Sequence, residues 1–142
     1  MDTAQRMGEY LRYRSAIGTK LSEFVILITA RQWTQQVEWA IHEPLAIKSG
    51  IHVAVIKAIA EGRYPSGMSE DEDIVYNFCM ELHGNKCISD ATYERALRRF
   101  GEQGVIDMLG INGYYTFLAM VMNATRTAVP GGKPAPLKAF PR

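Results

Sequence analysis

The sequence predicts an all-α fold, and three observations carry that prediction. Apolar residues recur at helical spacing through most of the chain, no alternating strand pattern of useful length interrupts them, and glycines or capping residues punctuate the helical stretches where helices start and stop. A chain of 142 residues with 47% hydrophobic content is the size of one domain with a sizeable core. The domain is expected over residues 1–128, followed by a Pro/Gly-rich tail over 129–142.

Asp2 with Gln5 resembles a capping arrangement, and Met7, Tyr10 and Leu11 continue an amphipathic helix to about Ser15. After a short turn from Ala16 to Lys20, the apolar residues Leu21, Phe24, Val25, Leu27, Ile28, Ala30 and Trp33 fall on nearly every face. Such a helix is buried on most sides. Thr34, Gln35 and Gln36 break it, and the period resumes in a second helix from about Gln36 to Ser49, with Gly50 as its stop and Pro44 expected to kink it.

His52 to Glu61 forms a short helix ended by Gly62. Ser69 and Glu72 form a capping box for a helix running to about Leu82, and Glu70, Asp71 and Asp73 complement its dipole. Ser89 or Asp90 caps the next helix, which ends at Phe100. A long last helix spans about Glu102 to Ala124, with Ile106, Leu109, Tyr114, Phe117, Leu118, Val121 and Met122 as apolar positions. The tail carries Pro130, Pro134, Pro136 and Pro141, and two outcomes are open for it: disorder, or a strap onto a neighbouring subunit with Leu137 and Phe140 as its apolar handholds.

Charge and cysteine usage exclude several classes. With 16 basic against 15 acidic residues, the net charge of +1 offers no footprint for nucleic acid or an anionic membrane. The run from Phe24 to Ala30 is far shorter than the roughly 20 residues of a membrane span. Early charges such as Arg6 and Arg12 exclude a secretory signal, so a cytoplasmic location is expected. Cys79 and Cys87, eight apart, form no zinc-type spacing, and no metal site is expected.

The chemistry-bearing feature is Glu38 with His42. At i and i+4 both side chains share one helical face, and a carboxylate beside an imidazole makes an acid–base pair near neutral pH. The plain alternative is an ordinary intrahelical ion pair. Trp33 and Trp39 read as core or subunit-contact residues, the seven methionines as gap fillers, and His52 and His83 as solvent-facing.

Around this pair, Glu23, Ala30-Arg31, Trp33, Glu38-Trp39 and His42, then Thr92-Tyr93, Phe100-Gly101, Gly113-Tyr114-Tyr115 and Asn123, resemble the landmarks of the carboxymuconolactone decarboxylase family, within the alkylhydroperoxidase D-like superfamily. The resemblance covers roughly residues 8–130. It implies a helical fold assembled into small symmetric rings, trimers or hexamers, with sites near subunit contacts. It also implies either cofactor-free decarboxylation of a carboxylated lactone or thiol-dependent peroxide reduction through a CxxC pair. The peroxidase cysteines would stand at positions 35 and 38, where this chain has Gln35 and Glu38, so the branch lacking the redox motif is expected.

The resulting expectation is a lyase without cofactor, acting on a small acidic organic substrate. His42 exchanges the proton, Glu38 or Glu23 sets its charge, Arg31 anchors a substrate carboxylate and Tyr115 donates a hydrogen bond. The alternatives are another proton transfer at the same pair, isomerisation or hydrolysis, and a non-catalytic oligomeric binding protein.

Overall fold

The computed structural model describes residues 2–140, and every described regular element is helical: α1 (Asp2–Tyr13), α2 (Gly18–Gln32), α3 (Gln36–Ser49), α4 (Val53–Ala60), α5 (Glu70–Asn85) and α6 (Asp90–Ala124), with a 3-10 turn at Pro130–Gly132. No strand occurs among the described residues. The all-α expectation holds.

Helix α2 is the centre. Phe24, Val25, Ile26, Leu27 and Ile28 are five consecutive residues with no more than 1% exposure, so every side of one turn is covered by protein. It packs against α1, α3, α4, α5 and α6, as a helix apolar on all faces must. Trp39, Phe78, Val55, Ile56, Met108 and Ile111 close around it. Truncating a fully buried aromatic such as Phe24 to alanine removes about 3–5 kcal/mol from a core of this kind.

Local signals placed the helix ends. Gly50 stops α3 with φ 106°, its N–H returning to the last-turn carbonyls. Ser69 and Glu72 make both halves of the capping box on α5. Of the two candidate caps at α6, Ser89 takes the role, accepting from the Thr92 N–H. The first cap is different: Asp2 lies within the first turn of α1, not before it. The break expected between Phe100 and Glu102 is present inside α6, where Gly101 adopts φ 71° and ψ 177°. That conformation suits glycine alone at low cost.

Three other expectations need correction. Helix α3 runs through Pro44 as one helix from Gln36 to Ser49, and the proline lies on its exposed face. In α6 the buried stripe is Val105, Met108, Ile111, Tyr115 and Ala119, whereas Ile106 (60%), Phe117 (52%) and Val121 (43%) are exposed. Finally, the tail docks on its own chain. Leu137 is buried, its N–H and C=O both bonded to the Gln36 amide at 2.8 and 2.9 Å, and Phe140 stacks on Arg31.

By length and composition, α6 is the single described helix apolar enough to cross a membrane, and 39% of its most apolar window is buried within the protein. It packs on α1, α2 and α5.

Candidate active site

Three of the buried polar residues, Glu23, Glu38 and His42, meet in one cluster. Helix α3 presents His42 and Glu38 one turn apart, and α2 presents Glu23 from the opposite side. The His42 Nδ1 lies 2.6 Å from Glu23 Oε2, and its Nε2 lies 3.1 Å from Glu38 Oε2. All three are nearly sealed, with His42 3% exposed. Each ring nitrogen therefore faces a carboxylate oxygen, and the arrangement that satisfies both is an imidazolium with two N–H donors.

Burial alone would lower the His42 pKa. The hydrogen bonds to Glu23 and then to Glu38 outweigh it, and the net shift is upward. A fourth member is Arg12 of α1, whose Nε sits 3.4 Å from Glu23 Oε1. The row Arg12, Glu23, His42, Glu38 thus alternates in charge, which is how buried ions are tolerated.

The row opens into a cleft of about 460 Å³ whose walls include Arg12, Tyr13, Glu38, Ile41, His42 and Tyr115. Glu23 lies behind the cleft and positions His42; Glu38 and His42 face it. Tyr115 meets the His42 ring edge-on with centroids 5.4 Å apart. Burial first, then the neighbouring Glu38 charge, push its phenol pKa up, so it remains a donor.

Two local devices hold this geometry. Gln35 caps α3, its Oε1 accepting from the N–H groups of Val37 and Glu38 at 2.7 and 2.9 Å, and its Nε2 donates to Asn123 on α6. Asp107 of α6, 2% exposed, accepts from the Ala16 N–H at 2.7 Å, from the Tyr10 hydroxyl and from Gln103. This fixes the end of α1 and so the place of Arg12.

Of the five residues expected from the sequence, the structure brings together His42, Glu38, Glu23 and Tyr115. Arg31 is elsewhere. It is 2% exposed, donates to the carbonyls of Ala60 and Lys138 and to Thr34, and lies 3.8 Å from the Phe140 ring. It ties the tail to α2, and the cation at the cleft is Arg12. Nothing local distinguishes Arg12 in the sequence, because its partner Glu23 belongs to another helix.

His83 also departs from expectation. It is half-buried and hydrogen-bonded to Asn112 of α6 at 2.9 Å. Cys79 is buried, its thiol pushed up to about 12 by burial, and Cys87 is exposed; neither lines the cleft and they form no disulfide. Among the described residues no group of three His, Cys, Asp or Glu side chains is arranged to hold a metal ion.

Compared with known proteins, the chain matched no family model, no curated protein and no solved structure.

Proposed function

We propose that the chain is a cofactor-free lyase of the carboxymuconolactone decarboxylase type, acting on a small carboxylated lactone. The observation that supports this reading best is the His42 ring held at both nitrogens, by Glu23 and Glu38, on the wall of a cleft. A ring so held is charged and poised to give up a proton.

Decarboxylation needs that proton. When the carbon–carbon bond to the carboxylate breaks, carbon dioxide leaves and its electron pair stays on the ring as a dienolate. The Tyr115 hydroxyl is the donor for the dienolate oxygen, and the His42 Nε2–H supplies the proton through Glu38, whose oxygen lies 3.1 Å away on the cleft wall. Arg12 draws the acidic substrate to the mouth. Solvent then recharges His42.

The reading includes a cytoplasmic ring of identical subunits. Supporting it, Ile106, Phe117 and Met120 form an exposed apolar ridge on α6, and Tyr13 and Ile41 are exposed at the cleft mouth.

The test is loss of the ultraviolet absorbance of 4-carboxymuconolactone on adding protein, with carbon dioxide released in equal amount. Glu38→Gln and His42→Gln should each slow turnover by about a hundredfold or more. Absence of turnover by the unmodified protein rules out this substrate, and full activity in His42→Gln rules out the acid–base role.

A further inference from the structure

A second cleft, of about 500 Å³, lies where the end of α2 meets α5 and α6, and it shares none of the His42 site's residues. Trp33, Leu82 and Leu109 give it an apolar wall, while His83, Lys86 and Thr116 bring polar groups to it. Its size and its mix of an apolar body with few polar groups match a small-molecule pocket.

The His83 ring is built in. Asn112 uses its Nδ2 toward the Met108 carbonyl at 2.8 Å and the Cys79 sulfur at 3.4 Å, so its Oδ1 faces His83 as an acceptor. The proton of the neutral ring is thereby fixed on Nε2, and Nδ1 carries the lone pair. Nδ1 has no hydrogen-bond partner among the described residues, and the one buried side-chain polar atom left without a partner there is Arg31 Nε, so Nδ1 is not sealed in the core. Burial first and the Lys86 charge after it keep this ring neutral despite the Asn112 bond.

Lys86 stands at the end of α5 in a left-handed conformation, φ 60°, which turns the chain out of the helix. Its Nζ donates to the His83 carbonyl at 2.7 Å. That bond uses one of three N–H groups and parks the ammonium beside the cleft.

We propose that this cleft is a binding site for a hydroxylated aromatic carboxylate: the ring lies on Trp33, Leu82 and Leu109, the carboxylate meets Lys86, and the hydroxyl donates to His83 Nδ1. The complementarity is specific. A carboxylate alone gains nothing from a lone pair, and a hydroxyl alone gains no charge pairing with the ammonium.

The probes are 4-hydroxybenzoate, benzoate and 4-hydroxybenzyl alcohol, titrated against the full chain and read by tryptophan fluorescence and by imidazole NMR. Trp39 is fully buried, so the optical change reports Trp33. The expected result is saturable binding of 4-hydroxybenzoate, tighter than either partial analogue, with the His83 resonances moving and those of His42 still. Lys86→Asn, which tolerates the left-handed backbone, should weaken 4-hydroxybenzoate about fivefold and leave the alcohol unchanged. His83→Phe keeps a flat ring of similar shape while removing the acceptor, and should erase the preference for 4-hydroxybenzoate over benzoate. Lack of saturation, equal affinities for the three probes, or shifts confined to His42 would each overturn the assignment. None of these outcomes depends on whether the His42 site decarboxylates anything.

Discussion

Two histidines lean on the same central helix and end in opposite states. His42 meets Glu23 of α2 and is charged; His83 lies 3.4 Å from Thr29 of α2 and is neutral. Burial pushes both rings the same way, toward the uncharged form. What differs is the company. Two carboxylates reverse the effect at His42, whereas at His83 a single neutral amide cannot, and the Lys86 ammonium adds to it. Burial therefore decides the charge of the imidazole whose hydrogen-bond partner is neutral, and is overturned only where two carboxylates face the ring.

The comparison breaks most visibly when one partner is removed from each site. Glu23→Ala leaves a sealed imidazole and Arg12 without their shared counter-charge, and should lower the unfolding free energy by about 3–5 kcal/mol at neutral pH. Asn112→Ala removes only a neutral acceptor, at about 1–3 kcal/mol. Chemical denaturation of both variants measures the gap, and equal losses would mean that charge is not what separates the sites.

A smaller effect, with a sign that differs between the two, comes from pH. The folded pKa of His42 is raised, so its contribution to stability is fully present below the unfolded value of ~6.5 and is lost as pH rises through the folded value. The folded pKa of His83 is depressed. Its contribution is present above that unfolded value and is lost as pH falls toward the folded one. Relative to the unmodified chain, His42→Gln should thus look least harmful at alkaline pH and His83→Gln least harmful at acid pH. Melting temperatures across pH 5 to 9 test the crossing, and parallel curves would refute it.

The smallest effect concerns the thiols beside the second site. A thiol-directed reagent should modify the exposed Cys87 rapidly and Cys79, buried beneath Asn112, only on unfolding. Two fast-reacting thiols in the folded chain would contradict the packing around Asn112.

How much of this was legible in the sequence follows from distance along the chain. The Glu38 and His42 pair, the Gly50 stop, the Ser69 and Glu72 box and the Gly101 break are each settled within a few residues, and each was readable. Glu23 came from a resemblance, not from spacing. Arg12 with Glu23, and His83 with Asn112, join helices that only packing brings together, and no local pattern announces them. Arg31 holds the tail and not the cleft, and the sequence does not show this, because an arginine near a helix end looks the same whether it meets a substrate or a chain carbonyl. On α6 the period was right, but apolar residues occur on more than one face, and periodicity does not say which face the core takes.

The Gln36 amide clamps Leu137 with two hydrogen bonds, and beyond it the Arg31 guanidinium holds the Lys138 carbonyl beneath the Phe140 ring. The strap thus covers a buried guanidinium: without residues 137–140, Arg31 would keep the Ala60 carbonyl and Thr34 as partners but lose the Lys138 carbonyl and the ring above it.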